Sequence, residues 1–245
     1  MRTALIGKDP RAIRGMFGRI AHRYDLLNHL LSLGRDVAWR RRMARRVAEA
    51  GACPVLDVCA GTGDVALGLP STAAAIGSDF SLPMLAIAAR KARRRGRSLP
   101  LFAADALALP LPEGSVGGVT VAFGVRNFHS LERGLEELVR VLRPGAPLFV
   151  LEFSHPSGPF GAVASLWART VPPLVGRIVS GDREAYAYLP ASVDRFPDTA
   201  AMCARLEAAG LERVRGTRLT GGVATLYEGW KPRERQGVSD AGEVE

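Results

Sequence analysis

An α/β fold on a mostly parallel sheet is predicted by three features of the first 153 residues. Short apolar runs alternate with helical patterns, which is the signature of strands covered by helices on both faces. A glycine pair, Gly61 and Gly63, directly follows the first run. An acidic residue, Asp57, Asp79 or Asp105, stands at or near the end of each of the first three runs. Ligands of open α/β sheets bind outside the carboxyl ends of the strands, so glycines and carboxylates gather where a ligand belongs.

Residues 10–50 read as helical, with no strand-like alternation. Val55 to Val58 is the first strand, and a helix is expected from Asp64 to Pro70. Ala73 to Ser78 is the second strand. Ser81 can cap a helix to Arg95, with Pro83 in its first turn, where a missing N–H costs nothing. Leu99 to Ala104 and Val116 to Phe123 are the third and fourth strands. Ser130 caps a helix that Arg143-Pro144-Gly145 stops, and Pro147 to Phe153 is the fifth strand. Residues 155–190, rich in Pro, Gly and apolar side chains, break the rhythm as an insertion. A helix from Asp198 to Ala209 and strands over 211–217 and 223–230 complete the sheet. The expected organisation is a helical segment 1–50, a main domain 51–231 carrying the insertion, and a disordered tail 232–245.

At 245 residues the chain suits one large domain with a small attachment. No run is long and apolar enough to span a bilayer, and the first ten residues have no signal-peptide core. Three cysteines without a CxxC pair, and four scattered histidines, exclude a zinc pattern and suggest a reduced, cytoplasmic protein without metal. The net charge of +9 suits an anionic partner, such as nucleic acid or a membrane surface, but also follows from a general bias to Arg.

Glycines 61 and 63 let the backbone turn tightly and approach a ligand. Gly61-x-Gly63-x-x-Ala66 also fits a dinucleotide fingerprint, so NAD competes at this point. Asp57, four residues before Gly61, opposes a pyrophosphate and suits a cationic or amino-bearing ligand. Asp79 can accept both hydroxyls of a ribose, and Asp105-Ala106 can grip an adenine amino group. This combination resembles the S-adenosylmethionine-dependent methyltransferases. It implies their Rossmann-like class I fold: a mostly parallel seven-stranded sheet, here with N-terminal helices and an inserted cap.

Further segments narrow the resemblance. Tyr24-Asp25-Leu26-Leu27-Asn28 with Ser32 and Trp39, and Arg140-Val141-Leu142-Arg143-Pro144-Gly145 running on to Leu151-Glu152-Phe153-Ser154, are similar to two signatures of the quinone C-methyltransferases. These are the bacterial demethylmenaquinone and 2-polyprenyl-6-methoxybenzoquinol methylases. Phe123-Gly124-Val125-Arg126-Asn127, Tyr186-x-Tyr188-Leu189-Pro190-x-Ser192 and Leu219-Thr220-Gly221-Gly222 also resemble that family. The chain departs from it at Leu27 (usually Met), Asp36 (usually His), Ala146 (usually Gly) and Ala122 (often a Ser in the cofactor pocket).

The resemblance implies that Thr62, Asp79, Asp105 and Ala106 contact S-adenosylmethionine, with Asp57, Gly61 and Gly63 shaping the loop. The methyl acceptor is then a polyprenylated quinol ring whose carbon gains nucleophilicity as a ring hydroxyl loses its proton. Such a site needs a proton acceptor or a phenolate stabiliser. Arg126 and Asn127 are expected to face the ring, Arg126 countering phenolate charge, with Tyr24, Asp25 and His129 as candidates for a proton relay. A naphthoquinol, demethylmenaquinol, is preferred because the chain reads as a compact bacterial protein. A benzoquinol acceptor and an RNA acceptor are the alternatives, though few aromatics argue against nucleic acid. A prenyl tail implies a peripheral place on the cytoplasmic membrane. Two segments could serve it: the Arg40, Arg41, Arg42, Arg45, Arg46 helix with its Trp39/Met43/Val47 stripe, and the insertion with Phe160, Val163, Leu166, Trp167, Val171, Leu174 and Val175. The same stripes could instead be buried, the insertion as a cap or homodimer contact.

Overall fold

The structure, a computed structural model, describes residues 7–23, 25, 28–29, 32–156 and 183–233. Two helices lead: α1 (Pro10–Ile20) and α2 (Arg35–Glu49). The sheet region follows as β1 (Val55–Val58), β2 (Ile76–Asp79), α3 (Leu82–Arg94), β3 (Leu101–Ala103), β4 (Gly118–Ala122), α4 (Leu131–Val141) and β5 (Pro147–Phe153). Helices α5 (Arg183–Asp194) and α6 (Thr199–Ala208) precede β6 (Glu212–Leu219) and β7 (Ala224–Trp230). The insertion residues from Phe160 to Val175, and Tyr24, lie outside the described residues.

The strands form one seven-stranded sheet in the order β3-β2-β1-β4-β5-β7-β6. Strands β1 to β5 pair in parallel, while β7 runs antiparallel to both β5 and β6. The expected mostly parallel sheet is therefore present. Strand order reverses between β1 and β4, and a crevice at such a switch point is where open sheets hold ligands.

Alternation along the strands sends side chains to two cores. Leu56, Val58, Val119, Val121, Leu148 and Val150 pack with Leu135 and Leu138 of α4 and with Met202 and Leu206 of α6. Val55, Phe149, Leu151 and Leu226 pack on the other face with Trp39, Met43 and Val47 of α2. The latter stripe thus belongs to the protein core and not to a membrane. Burying each such side chain is worth about 1.5–3 kcal/mol, so pulling the stripe off the sheet would expose Val55, Phe149, Leu151 and Leu226 to water and forfeit several kcal/mol.

Two local expectations need correction. No full helix follows Asp64: the chain makes single turns and a short 3-10 segment, Ala66–Gly68, because Pro70 leaves no room to propagate. Ser81 precedes α3 without capping it through its side chain. Its backbone N–H instead donates to Asp79 Oδ1 at 2.8 Å.

Candidate active site

The cavity at the switch point is built from the segments that leave β1, β2, β3 and β4. Cys59 and Gly61 come from the first, Asp79 and Phe80 from the second, Ala104 to Leu107 from the third, and Ala122 to Gly124 with Asn127 to His129 from the fourth. Ile13 and Phe17 of α1 close it from above, and Met84 of α3 from the side. Arg14 holds α1 in place by donating its Nε–H to the Phe80 carbonyl at 2.7 Å.

The backbone at the crevice is held in the left-handed region at two non-glycine residues, Cys59 (φ 56°) and Phe123 (φ 58°), one beyond each switch-point strand. Such residues cost of order 1–3 kcal/mol each and gather at functional sites. Gly124 makes room for them: a Cβ there would lie 2.6 Å from the Cβ of Cys59.

Asp79 is the hub of the side of the cavity formed by the glycine loop and β2. It is buried, and its carboxylate accepts the Gly61 N–H at 2.9 Å on Oδ2 and the Ser81 N–H on Oδ1. Burial raises its pKa, against the two backbone donors and the Arg14 charge, which lower it. Each oxygen keeps a lone pair for a ligand hydroxyl. Asp105, exposed, accepts the Leu107 N–H on Oδ1 at 2.9 Å and keeps Oδ2 available. Gly61, Asp79, Asp105 and Ala106 all line the cavity.

Asp57, Thr62 and Gly63 stand behind it. Asp57 is buried, accepting from Thr120 Oγ1 at 2.8 Å and from the Ala66 N–H at 3.2 Å, so it ties the loop to β4. Burial pushes its pKa up to about 7. Thr62 donates its hydroxyl to Asp25 at 2.6 Å and accepts from Lys91 Nζ at 3.0 Å. Gly63, at φ 82°, lets the loop press on α3, where a Cβ would meet Ala88 at 3.0 Å.

The expected acceptor residues are placed unevenly. Asn127 lines the cavity, and its Oδ1 accepts the Tyr188 hydroxyl at 2.9 Å. Arg126 does not line it. The Arg126 side chain is buried, 5% exposed, with Nη1 2.7 Å from Glu152 Oε1 and 2.7 Å from the Phe123 carbonyl, and its guanidinium 5.4 Å from the Phe153 ring centre. The reason is Glu152, fully buried on β5: an uncompensated buried carboxylate costs several kcal/mol, and Arg126 compensates it. Asp25 is likewise engaged elsewhere, between Thr62 and Lys91 Nζ (2.5 Å) on the outer side of the glycine loop. His129 is on the cavity wall. Reading the sequence did not find Ile13, Phe17, Met84 or Phe80 as wall residues. The Asp9-Pro10 start and the apolar spacing of Ile13, Met16 and Phe17 mark an amphipathic helix, but not what it covers.

The lining has a sign. It includes two carboxylates and no Lys or Arg among the described residues, in a chain of net charge +9. A pyrophosphate would meet carboxylates there with no cation to hold it, whereas a sulfonium and an amine are suited.

Residues 6–231 match the model of the ubiE/COQ5 methyltransferase family. The chain belongs to that family. It is 49% identical to a demethylmenaquinone methyltransferase of Thermus thermophilus over 221 residues, covering 89% of this chain and all of that one. It is 42% identical over 227 residues to a ubiquinone/menaquinone biosynthesis C-methyltransferase of Syntrophotalea carbinolica, covering 91% of this chain and 94% of the relative. Among solved structures, a SAM-dependent methyltransferase of Thermotoga maritima, described as a possible histamine N-methyltransferase, superposes with a TM-score of 0.61 at 20% identity. The match covers 89% of this chain and 98% of that one. A SAM-dependent methyltransferase of Aquifex aeolicus gives 0.59 at 20% identity, covering 84% and 97%. At such identities the likeness shows the shared methyltransferase fold.

Proposed function

We propose that this protein methylates a ring carbon of a polyprenylated quinol, converting demethylmenaquinol to menaquinol with S-adenosylmethionine as donor. The observation that carries the reading is the acidic cavity at the switch point, without Lys or Arg among its described lining residues, in a chain that belongs to the ubiE/COQ5 methyltransferases. Bound there, S-adenosylmethionine supplies an electrophilic methyl on a sulfonium. Transfer of that methyl to the ring carbon would leave the neutral thioether, and the proton displaced from that carbon would pass to solvent.

The chain's own groups bind, orient and shield. Asp79 accepts the ribose hydroxyls and Asp105 the adenine amine. Phe80, Met84 and Leu107 offer apolar surface, and α1 excludes water with Ile13 and Phe17. Asn127 presents its amide towards the acceptor. The Tyr188 hydroxyl fixes Oδ1, so Nδ2, only weakly engaged by the Phe123 carbonyl at 3.4 Å, is directed to stabilise the quinol oxygen as it loses its proton. Arg126 acts from behind as a positioning residue: locked to Glu152, it holds the Phe123 carbonyl and the Asn127 turn.

A prenylated acceptor resides in a bilayer, so the enzyme works at a membrane surface. Among the described residues no helix is long and apolar enough to cross one, which suits peripheral attachment. The test is methyl transfer from labelled S-adenosylmethionine by the purified protein to reduced demethylmenaquinone and, separately, to the benzoquinol precursor of ubiquinone. Label in the naphthoquinol ring carbon is expected. Label in neither ring would overturn the reading, and equal turnover of both would extend it to both of the biosyntheses in the name of the S. carbinolica relative.

A further inference from the structure

A second concavity, about 550 Å³, lies between α2 and the antiparallel strands β6 and β7. Five arginines line it: Arg35, Arg42, Arg45 and Arg46 from α2, and Arg215 from β6. Its two acids are already taken. Glu228 binds Arg46 Nε at 2.7 Å and Arg215 Nε at 2.8 Å, and Glu49 pairs with Arg46. Five cations against two anions leave three positive charges in the groove. They reside on Arg35, Arg42 and Arg45, whose side chains have no ion pair or hydrogen bond among the described residues, while Arg40 is paired with Asp36 at 2.7 Å. The spacing i, i+7, i+10 puts the three on one side of the helix, within an arc of about 80°.

Two further features give the groove a direction and a chemistry. Trp39 forms part of its floor and sits 6.3 Å from Phe123, which lines the active-site cavity, so groove and cavity share an aromatic wall. At the same end, two residues before Arg35, Leu33 is 67% exposed, the most exposed large apolar side chain among the described residues. An aliphatic tip beside unpaired arginines matches a lipid interface, where the apolar group enters the headgroup layer and the guanidinium ions meet phosphates. Nucleic acid would call for stacking surfaces, and the only aromatic ring at the groove among the described residues, Trp39, is buried with its Nε1–H donated to Thr220.

We infer that this arginine face, with Leu33 at its tip, is the surface by which the protein docks on anionic phospholipid. Docking here rests the active-site rim on the bilayer from which a prenylated ring would be drawn. In this the inference rests on the quinol reading, but its test does not.

The full chain is sedimented with vesicles of phosphatidylcholine alone and of phosphatidylcholine with phosphatidylglycerol. Wild type is expected to bind only the anionic vesicles and to release in high salt. Each arginine near such a surface contributes about 1 kcal/mol, so R42Q/R45Q should lose about 30-fold in affinity, and L33S should weaken binding further without altering its salt dependence. Circular dichroism confirms that the variants fold, and turnover of a short-chain, water-soluble quinol should be unchanged, since neither arginine touches the cavity. Equal binding to both vesicle types, no binding to either, or wild-type binding by R42Q/R45Q would overturn the inference. So would R42Q/R45Q-sensitive binding of single-stranded RNA in place of vesicles. Anionic-vesicle binding that persists when no quinol is methylated would leave the surface standing and sink the acceptor assignment instead.

Discussion

Asp57 offers a sharp test of how the glycine loop is held, because burial disfavours its charge. The carboxyl is 1% exposed and meets one hydroxyl and one backbone N–H. Burial is the leading cause that lifts its pKa from 3.8 to about 7, the Thr120 and Ala66 hydrogen bonds and the Arg40 charge opposing, and Asp79 adding to it. In the unfolded chain the group titrates at its ordinary value. Between these two values the folded protein binds a proton that the unfolded chain does not, so stability falls as pH rises from about 4 to about 7, and above that the full penalty is present. A difference of roughly three units at 1.36 kcal/mol each is about 4 kcal/mol, of which about 3 kcal/mol falls between pH 5 and pH 8. Asp57→Asn removes the titration and nearly preserves the shape. Its Oδ1 can accept the Ala66 N–H and its Nδ2 can donate to the Thr120 hydroxyl. Urea unfolding of both proteins at pH 5 and pH 8 measures the effect. The stability of the variant relative to wild type should rise by about 3 kcal/mol between the two pH values. Parallel pH profiles would refute the argument and mean that Asp57 is as well solvated by its two partners as it is by water.

Asp79→Ala should weaken S-adenosylmethionine binding about 10- to 150-fold, the equivalent of roughly 1.5–3 kcal/mol for charge-assisted hydrogen bonds, as read by calorimetric titration of the folded variant. Tyr188→Phe frees the Asn127 amide to rotate. The single-turnover rate should fall about tenfold, a share of what a full oxyanion donor is worth, while cofactor affinity stays unchanged. Gly124→Ala drives a Cβ to 2.6 Å from that of Cys59, and denaturant unfolding should show a loss of about 1–3 kcal/mol that Cys59→Gly partly restores by removing the obstacle. The arginine-face variants described above complete the set, with vesicle affinity as their readout.

What could be read from the sequence, and what could not, divides along one physical line. Strand β5 matches its expected span because Arg143-Pro144-Gly145 fixes where it starts and its residues are buried on both faces. The glycine turn and Asp79 were legible because each is a local requirement: a positive φ at residues 61 and 63, and a carboxylate at a strand end. The stripe of Trp39, Met43 and Val47 was legible as a stripe, but helical periodicity gives an apolar face without its partner, and the partner is the sheet. Arg126 shows the limit most clearly. Its place after β4 puts it beside the cavity, and no acidic residue lies within five positions of it. The competitor is set by register. Ala122 pairs with Leu151, so the next residue on β5, Glu152, falls beside the turn that carries Arg126 and takes its guanidinium. Asn127, one residue further, is left facing the cavity and is met by Tyr188 from a helix 61 positions away. A short motif therefore points to the turn beside the cavity, while long-range pairing decides which of its residues faces the cavity.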